Sequence, residues 1–436
     1  MPPPEAMAHA LVIRADPPDL CSSVALPRLA AGDPRCAAGT VLPSPPASVH
    51  LFFNERVQLV GRGVRVVAPD GRRVDRGPVR IDGPEVAVGI DAAQPGTYLV
   101  TWRVVSADTH PAVGTFVFSV GHAGSPPRGA PDAGGAASAS SVGLLLQVLA
   151  RAVHFAGYAL GFGAFAFLVL VLRPLGLEGS RAEGRVWWLV GLGVFLLLSA
   201  EPIALLAQAT SLGGGEGGPF DPDAVSSALD SIFGRVLAQR VGAALLLWVL
   251  LGAARDAPSR ATGASARATG AVALVGVALA WVDGQAAHAV GVRPVWLGMG
   301  LNTLHVAAMG VWIGGLAALL SVWRGWETDP ALGPVAGRAG IAVRAGRLFG
   351  AAAGALAVTG IGMAVQHLRA PADLFTTPYG RTLAVKLIVL LIVLLLALRA
   401  SRSVPADRPP WWTREAAALL AVLILAGFLV SLPPPV

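Results

Sequence analysis

Trp102-Arg103-Val104-Val105-Ser106-Ala107-Asp108-Thr109-His110-Pro111 decides how the front of this chain is read. Its first half is a β-type run, and its second half breaks into polar turn residues. Asp108 and His110 are two positions apart, so in an extended strand they fall on one face. A carboxylate and an imidazole so placed form a metal-ligand pair that lacks a third partner. The structural alternative is that Asp108 caps a turn and His110 is a surface residue.

Working outward, the flanking segments are also β-type. Ser48–Phe53 alternates weakly, and Gly63–Val67 alternates better and ends at Pro69-Asp70-Gly71. Val86–Ile90 is a further strand, followed by a turn at Gln94-Pro95-Gly96. Thr97–Val105 and Val113–Val120 complete the series. Short strands with regular turn signals predict an all-β Greek-key sandwich over residues 9–120. Residues 20–38 interrupt the pattern and carry both cysteines, Cys21 and Cys36. A disulfide between them is expected if the domain lies outside the cytoplasm, and a cysteine-based copper(I) site is the alternative. His50 reads as an exposed strand residue and His122 as a solvated one.

Residues 1–8 read as the remnant of a signal peptide. Ala6-Met7-Ala8 resembles a processing site, but no apolar core precedes it. Cleavage there would make His9 the first residue, with an amine and an imidazole to offer. Two nitrogens from His9, with Asp108 and His110, form a tetragonal N/O set that suits copper(II) better than tetrahedral zinc.

Composition changes near residue 142. The chain is 54% hydrophobic and only 14% charged, too apolar for an ordinary soluble protein. Residues 121–141 are Gly, Ala, Ser and Pro and read as a flexible linker. From 142 to 436 follow eight apolar runs, each about 20 residues or more, enough to cross a bilayer. They lie near 144–172, 186–208, 232–253, 269–288, 296–323, 347–367, 382–399 and 415–432. An all-α eight-helix transmembrane bundle is expected. The net charge of +7 does not imply nucleic acid, because the arginines cluster in loops between spans. Odd-numbered loops hold Arg173, Arg255, Arg324 and Arg402, whereas the second holds Glu216, Asp221 and Asp223. The front domain and the C-terminus therefore face outside, and the odd loops face the cytoplasm.

Ionisable side chains inside spans are costly and therefore functional candidates. These are His154, Glu201, Arg235, Arg240, Asp283, His288, His305, His367 and Lys386. Lys386 is the sole lysine of the chain. Asn302, His305 and Met309 share a helix face, as do Met363 and His367. Imidazole and thioether suit copper, thioether favouring copper(I). A copper path through His154, His305, Met309, Met363, His367 and His288 is expected. The bland readings are core packing for the methionines, an ion pair between Glu201 and Arg240, and a wet interface for His288 and His367.

The order of motifs supports the metal reading. His9-Ala10, Ala15-Asp16-Pro17-Pro18, Leu51-Phe52-Phe53-Asn54-Glu55, Gly96-Thr97-Tyr98 and Trp102–Pro111 together resemble the periplasmic copper-binding CopC family. The resemblance covers nearly all of residues 9–120. It implies an Ig- or cupredoxin-like β-sandwich and copper(II) held by His9, its amine, Asp108 and His110. The chain departs from the family in its cysteine insertion. It also lacks a methionine-rich copper(I) site, with no Met between Met7 and Met299.

Leu304-His305, then Gly310-Val311-Trp312-Ile313-Gly314-Gly315, and Tyr379-Gly380-Arg381-Thr382-Leu383-Ala384-Val385-Lys386-Leu387 resemble the CopD family of eight-span membrane proteins. The two resemblances imply a CopC–CopD fusion, a non-enzymatic copper-resistance protein of the bacterial inner membrane. Its expected partners are copper ions, lipid and periplasmic copper carriers. The alternatives are a haem- or quinone-linked redox protein with His154 and His305 as axial ligands, a copper sensor, and a copper oxygenase.

Overall fold

The computed structural model describes residues 12–16, 41–53, 56–106, 109, 111–125, 141–212, 220–256, 264–287, 294–326, 329, 335–402 and 408–432. His9, Cys21, Cys36, Asp108, His110 and His288 lie outside these residues. The described residues form two compact units. One comprises those up to Leu144 together with Leu205–Arg235, and the other Leu145–Ala204 with Val236 onward.

The first unit contains two four-stranded sheets. One has the order β1 (Val12–Asp16), β3 (Ser48–Phe53), β6 (Glu85–Ile90), β5 (Asp75–Asp82). The other runs β2 (Val41–Leu42), β8 (Pro111–Val120), β7 (Gly96–Ser106), β4 (Val57–Val67). Pairing is antiparallel except between β2 and β8. The alternation read in Ser48–Phe53 is real: Val49, Leu51 and Phe53 are buried, and the residues between them are not. Val86, Val88 and Ile90 repeat the pattern beside them, and Tyr98, Val100, Phe116 and Phe118 face them from the other sheet. Tyr98 is buried with its hydroxyl satisfied. It donates to the Gln94 carbonyl at 2.7 Å and accepts from the Gln94 N–H at 3.1 Å.

Trp102 opens the stretch that suggested a strand, and its register explains one glycine. Trp102 pairs across the ladder with Gly114. A Cβ on Gly114 would lie 2.0 Å from the Trp102 ring, so only glycine leaves room for the indole. Strands β1, β2 and β5 were not expected. β5 pairs only with β6 and leaves most of its side chains exposed, so it has no apolar alternation to read.

Among the described residues, eight helices are long and apolar enough to cross a membrane. They are α1 (Ser141–Tyr158, continuing through π and 3₁₀ turns to Leu175), α2 (Arg181–Leu212), α4 (Ile232–Asp256), α5 (Ala264–Gln285), α6 (Val295–Arg324), α7 (Val335–His367), α9 (Pro378–Arg402) and α10 (Arg408–Ser431). Two short helices are α3 (Pro222–Leu229) and α8 (Asp373–Thr376). The observed helices extend beyond most of the expected spans, because apolar-run reading stops at the first polar residues.

Small residues set the closest crossing in the second unit. A Cβ on Gly163 would meet the Gly310 carbonyl oxygen at 1.8 Å, and one on Gly314 would meet that of Ala159 at 1.8 Å. Helices α1 and α6 therefore touch backbone to backbone, the arrangement small residues permit in membrane bundles. The crossing falls where α1 is π-helical, over Ala159–Gly163. Helix α1 thereby presents His154 and Phe155 one turn before its tightest contact with α6.

Candidate functional site

The turn between β7 and β8, which carries two of the front-domain candidates, is described only at its centre. Asp108 and His110 lie outside the described residues, but Thr109 between them is buried, with φ of 71°. A β-branched residue in the left-handed region is strained by roughly 1–3 kcal/mol. Its N–H donates to the Ser106 carbonyl at 3.0 Å, and its carbonyl accepts from Gln208 Nε2 at 3.0 Å. Thr109 is thus held by its N–H on one side and its carbonyl on the other. His50, read as exposed, is half-buried. Its Nδ1 lies 2.6 Å from Glu85 Oε1 and its Nε2 3.0 Å from Ser48 Oγ. His122 is exposed, as expected.

In the membrane unit the candidates divide into two sites. The first joins four helices. His154 on α1 is buried, with Nδ1 3.1 Å from Glu201 Oε1 on α2 and Nε2 3.0 Å from Asp283 Oδ1 on α5. Arg240 on α4 reaches the same Asp283 oxygen at 2.9 Å. The expected ion pair of Glu201 with Arg240 is therefore replaced. Arg240 serves Asp283, and His154 bridges the two carboxylates. Both imidazole nitrogens face carboxylate oxygens, so His154 has no free lone pair pointed at a metal. The haem alternative needed His154 as an axial ligand, and this geometry leaves it no nitrogen for that role.

The second site is a cavity of about 430 Å³ between α6, α7, α9 and α10, touched by Phe155 of α1 and Ala287. His305, Met309, Met363, His367 and Lys386 all line it. The helical spacings of Asn302, His305 and Met309, and of Met363 and His367, thus bring their side chains to one space. His154 does not line it.

The protonation of His305 follows from its neighbours. Thr359 Oγ1 donates its single proton to the Ala355 carbonyl at 2.7 Å, four residues back. With its proton so placed, the hydroxyl oxygen accepts from His305 Nδ1, 2.8 Å away. A neutral imidazole with a proton on Nδ1 keeps its lone pair on Nε2. Metal-binding histidines are commonly oriented this way, by a hydrogen bond from the nitrogen that does not ligate. Sequence reading missed Thr359, whose only signal is a buried hydroxyl inside an apolar helix.

The donor chemistry of the cavity is that of a soft cation: one oriented imidazole, a second imidazole and two thioethers. Among the described residues, no three His, Cys, Asp or Glu side chains are gathered to hold a metal. The two histidines and two methionines line the wall of the cavity. A further polar group borders it. Trp312, on the cavity wall, donates from Nε1 to Glu415 Oε1 at 2.8 Å, and Glu415 is buried. Glu415 was read only as the start of the last span.

Comparison with known proteins follows the same division. Residues 33–121 match the CopC domain, residues 140–292 the N-terminal domain of copper resistance protein D-like proteins, and residues 340–432 copper resistance protein D. The copper transport protein CutJ of Bacillus subtilis (strain 168) is 27% identical over 458 residues, covering 99% of this chain and 76% of that protein. Protein YobA of Escherichia coli (strain K12) is 32% identical over 88 residues, which are 19% of this chain and 71% of YobA. Copper resistance protein C of Pseudomonas syringae pv. tomato is 32% identical over 84 residues, 17% of this chain and 67% of that protein. The crystal structure of CopC from Methylosinus trichosporium OB3b aligns with 22% of this chain and 91% of its own at 24% identity, with a TM-score of 0.17. The four-helix charge cluster lies in the second matched region, and three of the four helices around the cavity lie wholly or largely in the third. With all three domains in one polypeptide, the chain belongs to the copper resistance family in which a CopC domain is joined to a CopD membrane region.

Proposed function

We propose that this protein captures copper(II) in its front domain outside the cytoplasmic membrane and passes it to the helix bundle, which carries copper inward. The observation that carries the reading is the His305–Thr359 pair. It fixes an imidazole with its Nε2 lone pair free in a cavity that also receives Met309, Met363 and His367. Two imidazoles and two thioethers suit copper and would suit few abundant cations. The names and domains of the relatives support copper as the cargo.

In the front domain His9, Asp108 and His110 would hold copper(II), with the amine of His9 when that residue is first. Thr109, which lies between two of these residues in sequence, is itself held by Ser106 and Gln208. Arginine-rich odd loops support an inner-membrane orientation with the front domain and the C-terminus outside. Periplasmic copper carriers would then be the donors.

Copper binding by the full-length protein in detergent tests this assignment. The parent should bind copper at two separable sites. Blocking the N-terminal amine of a chain beginning at His9 should remove the first. His305→Ala should remove the second while leaving the first intact. Two-site binding that survives both changes would overturn the assignment.

A further inference from the structure

Lys386 is the only lysine of the chain, and it lies on the cavity wall with His305. A charge in apolar surroundings normally has a partner of opposite sign. Among the described residues no carboxylate is within ion-pair distance of Lys386. Glu201 and Asp283 are engaged by His154 and Arg240, and Glu415 accepts from Trp312. The titratable groups that share the cavity are His305 on α6, His367 on α7 and Tyr379 on Lys386's own helix, α9. Helix α10 contributes only apolar side chains, and so do the two contacts from Phe155 and Ala287. None of these groups is a carboxylate.

A cavity whose fixed ion is a cation repels a second cation. Across about 6 Å of such a space, at an effective interior dielectric of about 20, the repulsion weakens binding by on the order of a hundredfold. Lysine differs from arginine in that it can lose its charge when buried. The sole cation of this cavity is thus the kind that can be discharged.

We propose that the cavity is a copper–proton exchange site, in which copper enters as Lys386 releases its proton. The proposal rests on the copper reading given above, and takes the copper that reaches the cavity as copper(I), formed from the copper(II) of the front domain by a one-electron reductant outside this protein. The Lys386 ammonium gives one proton to water and becomes a neutral amine, and one copper(I) ion takes its place. The charge within the cavity is unchanged and no electron moves. His305 keeps its Nδ1 proton on Thr359 and offers Nε2 throughout.

The test uses the full-length protein in detergent, with copper(I) from a chelator buffer as the probe and proton release followed by a weakly buffered indicator dye. The cavity contribution is taken as the difference from His305→Ala. The parent should release about one proton per copper bound in the cavity. Lys386→Met should bind copper at least as tightly and release none. Lys386→Arg, with a charge that cannot leave, should bind on the order of a hundredfold more weakly. If Lys386 only packs or positions its helix, the order reverses and arginine is the better substitute. Copper binding by Lys386→Arg equal to the parent, or an undiminished proton from Lys386→Met, would overturn the exchange. If parent and His305→Ala bind copper alike, the copper reading of the cavity itself falls.

Discussion

Replacing Gly314 by alanine tests the contact that sets helix α6 against helix α1. An added Cβ would stand 1.8 Å from the Ala159 carbonyl oxygen, 2.6 Å from its carbon and 2.8 Å from the Ala164 nitrogen. All three atoms are backbone, so no side chain can turn away. Helices α1 and α6 must separate by about 1 Å or more, and the packing around the crossing loosens. Overpacking of this kind costs typically 1–3 kcal/mol, and rigid neighbours place this site at about 3 kcal/mol. Alanine returns about 1 kcal/mol through its helix preference, leaving a net loss near 2 kcal/mol. Gly300 is the internal control, since it lies on the same helix with nothing within 4 Å of its added Cβ. Thermal unfolding of purified protein, followed by tryptophan fluorescence, should rank Gly300→Ala at or above the parent and Gly314→Ala clearly below it. A Gly314→Ala protein as stable as Gly300→Ala would refute the backbone-to-backbone crossing.

Further outcomes follow from other contacts. Asp283→Ala leaves His154 and Arg240 without their shared carboxylate. Breaking a buried pair in this way should cost about 3–5 kcal/mol, read as a lowered unfolding midpoint. Thr359→Val removes the acceptor that orients His305, and copper affinity of the cavity should fall roughly 10–100-fold with stability little changed. In the sandwich, burial pushes the Asp75 carboxyl up, but the Arg73 guanidinium and the Val66 N–H outweigh it and hold the carboxyl below its ordinary range. A carboxyl lowered by folding contributes stability above its unfolded pKa and loses it as pH falls through the folded value. Unfolding of parent and Asp75→Asn should therefore differ at neutral pH and converge once the pH has fallen below the folded value of Asp75.

Much of the fold was legible because it rests on local periodicity. Val49, Leu51 and Phe53 alternate with polar or half-exposed residues, and such a pattern names a strand and its inner face at once. The edge strand β5 buries almost nothing and left no such signal. The spans were legible for the same reason, as runs that only lipid or a core can accept. Within the cavity, the shared faces of Asn302, His305 and Met309 could be read from helical spacing alone. What could not be read is which helix lies beside which. Arg240 chose Asp283 over Glu201, and Thr359 met His305 across 54 positions. Close helix crossings such as Gly163 with Gly310 are equally silent, because small residues carry no directional pattern. The roles of His9, Asp108 and His110 still rest on their sequence context.

Copper entry into vesicles tests the central claim most directly. Protein reconstituted with its front domain outward should load copper into the lumen, and His305→Ala should reduce that uptake to the level of empty vesicles. Equal uptake by parent and His305→Ala, or none by either, would contradict a copper route through this cavity.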